Sequence, residues 1–203
     1  MGKSKSKGGL GFWDLISFNK ALLAKQCWRL IQHPDSLAAL IIKEKYFSRS
    51  DLFSAKLRSK PSFTWGSLLS GRELLSAGLL WRIGDGKSVS IWSDKWIPRP
   101  TSFSVMSPCT VLPKTTKVED LIYGDPPKWN KSLIHSIFIN DEADLICNLP
   151  LSRYHQLDRM IWQATSSGDF SVRNAYHCEM ERLDQKKWEC SNSGRFMNLW
   201  RIL

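Results

Sequence analysis

The sequence has no Cys-x-x-Cys pair, no secretory leader, and no apolar run approaching the roughly 18 residues that span a bilayer. Its longest apolar stretch is Leu37–Ile42, so no membrane partner is expected. The five cysteines, at 27, 109, 147, 178 and 190, are odd in number and scattered. They read as reduced thiols of an intracellular chain, nuclear or cytoplasmic, and not as a disulfide framework. Histidine is scarce too, with four in all, at 33, 135, 155 and 177. No nucleophile elbow frames any of them, which leaves out Ser- or Cys-based acyl chemistry.

Metal chemistry fares no better. The nearest ligand set is His177, Cys178 and Cys190, three groups where a structural zinc site closes with four, and adjacent helical residues point to different faces. The acidic pairs Glu119-Asp120 and Asp141-Glu142 fall at helix starts, where the positive end of the helix dipole accounts for them. Two-metal phosphoryl transfer needs carboxylates converging on a rigid frame, and none is visible. Gly86-Lys87-Ser88 has the ending of a phosphate-binding loop, but Trp81 stands where the leading Gly belongs and no helix follows, so it reads as a turn. No catalytic residue, metal or cofactor is expected, and the chain by itself is not expected to be an enzyme.

Positive charge is what the chain has in excess, with 29 Lys and Arg against 19 Asp and Glu over 203 residues. The excess is uneven: residues 1–60 hold twelve basic and four acidic side chains, residues 61–203 seventeen and fifteen. Such a field concentrates phosphate polyanions, which makes nucleic acid the leading partner class; a solvated, solubilising face is the plainer alternative. Ten tryptophans are the other excess. Core packing is their ordinary use and exposed stacking platforms the rarer one.

Along the chain, residues 1–9 alternate Lys with Ser and Gly and read as a flexible basic tail. Helical spacing of Phe18, Ala21, Leu22, Trp28 and Ile31 predicts a helix over Leu15–Gln32, ended by Pro34. Asp35 or Ser36 caps a second, over 36–47, with Leu37, Leu40, Ile41 and Tyr46 as its apolar stripe. A third spans 63–76, closed by a left-handed Gly78. Alternating runs at 80–83 and 88–92 flank Gly84-Asp85-Gly86-Lys87 as a first β-hairpin. Residues 98–116, rich in Pro and Ser, read as a surface linker. Short helices follow over 118–122, 131–138 and 141–149, then a second hairpin at 159–164 and 170–171, and a helix over 172–187. The expected fold class is α+β, mainly short helices with two β-hairpins and an N-terminal basic helical hairpin. The expected organisation is a thumb-like or connecting region over 10–97, the linker 98–116, and a C-terminal unit over 117–203.

Several strings stand in a recognisable order. They begin with Lys7-Gly8-Gly9-Leu10-Gly11-Phe12-Trp13-Asp14-Leu15 and Phe18-Asn19-Lys20-Ala21-Leu22, and continue through Lys45-Tyr46-Phe47 and Ser62-Phe63-Thr64-Trp65. Gly71-Arg72-Glu73-Leu74-Leu75, Trp81-Arg82-Ile83-Gly84-Asp85-Gly86-Lys87-Ser88 and Trp92-Ser93-Asp94-Lys95-Trp96 follow. Asp158-Arg159-Met160-Ile161-Trp162 and Gly168-Asp169-Phe170-Ser171-Val172-Arg173 close the series. In this order the chain resembles the region after the polymerase core of plant LINE-type (non-LTR) retrotransposon reverse transcriptases, leading into their zinc-binding domain. The resemblance implies a parent polyprotein that copies RNA into DNA. It also implies that the polymerase aspartates lie upstream of the Gly-Gly-Leu-Gly run and the zinc ligands downstream of Phe196–Leu203. The expectation is a truncated, non-catalytic fragment that retains at most template-primer binding, through Lys20, Lys25, Arg29, Lys43 and Lys45 to the backbone of RNA or DNA without reading sequence. An inactive relic with no binding is the rival expectation. Trp13 and Trp65 are the candidates for stacking on a base.

Overall fold

The computed structural model describes residues 13–56, 62–99, 102–152 and 156–199, with side chains of the last helix through residue 185. The expected tail at 1–9, the Gly-Gly-Leu-Gly run, His155 and the side chains of Cys190, Phe196, Leu199, Trp200 and Leu203 lie outside the described residues. The chain folds as two compact units, one made of 1–78 with 163–203 and the other of 79–162. The division therefore falls at Gly78/Leu79 and Trp162/Gln163, whereas the Pro-rich stretch lies inside the second unit. The class is α+β, mostly helical, with two small two-stranded antiparallel sheets.

Among its described residues the first unit holds four helices: α1 (Leu15–Gln32), α2 (Leu37–Tyr46), α3 (Phe63–Gly78) and α6 (Val172–Leu199). At the start of α1 the Asp14 carboxylate accepts the Ser17 N–H at 2.8 Å, and the Asp14 N–H donates to the Tyr176 hydroxyl at 3.0 Å. The backbone bond from Ser17 holds the Asp14 carboxyl below its ordinary pKa of 3.8. Pro34 cannot continue the helix, and the His33 N–H closes it on the Arg29 carbonyl. Ser36 then caps α2 by accepting the Ala39 N–H.

Small residues on one face of α1 decide how it packs. Ala21, Ala24 and Cys27 are fully buried, and α3 approaches so closely that a Cβ on Gly71 would lie 2.5 Å from the Ala24 nitrogen. The Cys27 thiol donates to the Leu68 carbonyl, and burial pushes its pKa up to about 11, which makes it an inert core group. Trp65 is 1% exposed and stacks on Tyr46 at 4.6 Å and Phe47 at 5.7 Å, so it is core and not a platform. Trp13, half-exposed, leans on Phe18 and Tyr176. Gly78 is the last residue of α3 and is not among the left-handed glycines of the described residues, Gly86, Gly124 and Gly168.

The second unit corrects both expected hairpins. Strand β1 (Leu79–Arg82) pairs with β4 (Arg159–Trp162), Leu79 opposite Trp162, so the two Trp-bearing runs join each other and not their neighbours. Residues 89–91 run instead beside 116–118: Val118 N–H bonds to the Val89 carbonyl, and Ile91 N–H to the Thr116 carbonyl. That choice buries Val89 and Ile91 completely, which a solvent-facing hairpin would not do. At Gly168 the chain turns with positive φ and enters α6 without a second strand. A short 3-10 helix (Val118–Leu121), β2 (Ile122–Tyr123), β3 (Lys128–Trp129), α4 (Lys131–Ile137) and α5 (Asn140–Cys147) complete the unit. Its core gathers Val89, Ile91, Trp96, Ile97, Leu121, Ile134 and Ile146.

Candidate nucleic-acid interface

The five cations singled out in the sequence do not share one fate. Lys20 is 17% exposed and is held between Glu179 at 3.0 Å and Glu73 at 3.4 Å, while Arg182 brackets the same two carboxylates. Burial opposes the charge on Glu179, but its hydrogen bonds from Arg182 and Lys20 overcome that and hold its pKa below 4.5. A lysine committed in this way is a structural tie between α1 and α6. Lys25 is committed too: its ammonium donates to the Phe170 carbonyl at 3.0 Å and sits 5.8 Å from the centre of that ring.

Arg29, Lys43 and Lys45 are exposed. Arg29 bonds only weakly to Gln26, at 3.4 Å one turn away, and Lys45 reaches over the Tyr46 ring at 5.4 Å. Arg49 and Lys56, in the loop after α2, are exposed as well. That loop is tied down by Arg72, which donates to the Leu52 and Ala55 carbonyls at 3.0 and 2.5 Å. The basic surface of the unit thus follows the end of α1, α2 and the loop after it.

Beside these cations lies a groove of about 420 Å³, lined by Gln26, Arg29 and Leu30 of α1, the capping residue His33, Ala38 and Ile42 of α2, and Thr64 and Leu68 of α3. Its floor is apolar and its rim polar. Lys45 follows Ala38 and Ile42 at helical spacing and so stands on the groove side of α2. Sequence reasoning missed Gln26 and His33, although their spacing from Arg29 and Leu30 marks one helical face. It also misjudged the α2 stripe: Leu37, Leu40 and Ile41 are 74%, 50% and 56% exposed, whereas Ala39, Ile42 and Tyr46 face inward. Of the expected stripe, Leu37, Leu40 and Ile41 are turned to solvent and Tyr46 packs inward on Trp65.

The carboxylates serve structure. Asp158 accepts three backbone N–H groups, from Gly84 and Gly86 at 2.7 and 2.9 Å on one oxygen and from Ser88 at 2.8 Å on the other. The loop that looked like the end of a phosphate cradle is an anion nest, and the chain's own carboxylate fills it. Glu142 is fully buried and accepts from Met106 N–H, Ser107 N–H and Ser107 hydroxyl, with the Arg99 guanidinium at 3.3 Å. The helix dipole alone therefore does not account for it; it ties Arg99, Met106 and Ser107 to α5. Among the described residues no three His, Cys, Asp or Glu side chains gather where they would hold a metal ion, and no helix is long and apolar enough to cross a membrane.

No protein-family profile matches the chain, and no solved structure does. The chain has plant relatives. An uncharacterized mitochondrial protein of Arabidopsis thaliana is 48% identical over 96 residues, covering 47% of this chain and 62% of that protein. A second Arabidopsis protein, provisionally named a ribonuclease H protein, is 31% identical over 217 residues, covering 98% of this chain and 32% of that protein. The chain thus spans less than two thirds of the length of each.

Proposed function

We propose that the chain is a non-catalytic, nucleic-acid-binding segment of a plant retroelement polyprotein of the LINE reverse-transcriptase kind, gripping a phosphate backbone through Arg29, Lys43 and Lys45. The observation that carries this reading is the exposed cationic run from the end of α1 through α2 and its loop, in a unit whose other candidate cations are spent on ion pairs and a carbonyl. The ordered motifs and a relative bearing a ribonuclease H name support it. Contacts of this type hold the backbone and leave base edges unread, so RNA and DNA of any sequence compete for the same surface.

The experiment is binding of a fluorescent single strand and a duplex, followed by anisotropy. Reversing Arg29, Lys43 and Lys45 to Glu lowers affinity at least about ten-fold, as the loss of three phosphate contacts requires. Lys114→Glu, at an exposed position of the other unit, leaves it unchanged. Equal loss in both variants, or none in either, removes the proposal and favours an inactive relic.

A further inference from the structure

The α2 face is unusual for what it leaves uncovered. Leu37, Leu40, Ile41 and Glu44 fall on one side of the helix at i, i+3, i+4 and i+7. The three apolar members are half to three-quarters exposed. Lys45 borders this stripe on the groove side and Lys43 on the other, and both are exposed. A contiguous apolar seam rimmed by polar residues marks a contact surface, not a solvated face.

Four occupants compete. A polynucleotide satisfies the lysines but offers phosphates and sugars to Leu37, Leu40 and Ile41, which gain little from them. An anionic lipid surface satisfies both, yet it would press the Glu44 carboxylate against headgroups of its own sign, and a flat bilayer leaves the adjacent concavity unfilled. A second copy of this chain, meeting the first through the same α2 face, would bring Lys43 and Lys45 against lysines. An amphipathic helix with an apolar ridge and acidic flanks fits best: its ridge covers Leu37, Leu40 and Ile41, its carboxylates pair with Lys43 and Lys45, and one large apolar side chain enters the groove over Leu30, Ala38, Ile42 and Leu68. A partner that ends short of the exposed Glu44 leaves that carboxylate in water, as a flat bilayer cannot.

We propose that the α2 stripe and the adjoining groove are a docking site for an acidic amphipathic helix. The site is independent of phosphate binding except where the two share Lys43 and Lys45, so an occupying helix displaces polynucleotide.

The probe is a labelled helical peptide with Leu at i, i+3, i+4 and i+7 and Glu on both flanks, compared with the same peptide carrying Lys flanks. Vesicles of phosphatidylcholine and phosphatidylserine in equal parts, and a labelled single strand, are the other arms. The Glu-flanked peptide binds; the Lys-flanked one does not. Leu40→Ser with Ile41→Ser weakens the peptide at least about ten-fold, from lost apolar burial, with polynucleotide affinity and unfolding midpoint unchanged. Lys43→Glu with Lys45→Glu inverts the preference between peptides, which no folding defect produces. Failure of the Glu-flanked peptide to bind, equal binding of both peptides, or vesicle binding lost in the serine variant overturns the proposal. Loss of polynucleotide in the serine variant does so as well, by assigning the stripe to nucleic acid.

Discussion

Replacing Asp158 by Ala removes the anion from a nest built for one. Gly84 and Gly86 are buried and donate to the same oxygen, whereas Ser88 is exposed and donates to the other. A buried N–H stripped of its acceptor costs about 1–3 kcal/mol, and an exposed one that water can satisfy costs little. Two buried donors and one exposed donor therefore put Asp158→Ala at roughly 3–5 kcal/mol. Asp158→Asn keeps a carbonyl oxygen for the two glycines and sets an amide N–H against Ser88, so it costs only about 1 kcal/mol. Because Asp158 directly precedes β4, the loss reaches the pairing of Arg159–Trp162 with Leu79–Arg82. Hydrogen exchange over 79–92 and 156–162, together with urea unfolding, reads both the size and the place of the effect. If the Ala and Asn variants cost the same to within about 0.5 kcal/mol, or exchange at Gly84 and Gly86 does not quicken in Asp158→Ala, the nest does not hold the loop.

Two further outcomes test the first unit. Gly71→Ala forces a Cβ to 2.5 Å from backbone atoms of Leu23 and Ala24, which should destabilise by about 1–3 kcal/mol despite the better helix propensity of Ala; an unchanged or raised melting temperature would show that α1 and α3 are not so closely packed. Glu179 has its pKa held below 4.5 by the folded state, so its share of stability is present above that pH and fades as pH falls through the folded value. Glu179→Gln should be costly near neutral pH and flatten the acid limb of a stability-pH curve, and an unaltered limb would refute the assignment.

Local signals were legible wherever a residue acts on its own neighbours. Helix α1 spans Leu15–Gln32 with Pro34 beyond its end as read, and of the two caps read for α2, Asp35 or Ser36, it is Ser36 that accepts the Ala39 N–H, because caps and breakers work within four residues. Partners distant in sequence were not legible. The alternation read at 80–83 and 159–164 announces strands, observed at Leu79–Arg82 and Arg159–Trp162, but not that they pair with each other, and neighbouring turns with Gly invite the wrong pairing. Nothing near Lys20 reveals Glu179, 159 positions away, so the ion pair that holds this lysine was not legible. Helical periodicity identified an apolar side of α2, yet periodicity says only that a side exists; the small Ala39 and the stacked Tyr46 decide which side meets the core. The partners of Asp158, for which no role was read, and of Glu142, read only as part of a helix start, were hidden for the same reason, since their donors come from segments 35 to 74 positions away.

The salt dependence of polynucleotide binding bears most directly on the central claim. With Arg29, Lys43 and Lys45 as the phosphate contacts, log affinity should fall against log salt with a slope of about −2 on single strands and about −3 on duplex. The slope should flatten toward zero when all three are reversed to Glu. An affinity indifferent to salt, or a steep slope that survives the triple reversal, would contradict a cationic grip by α1 and α2.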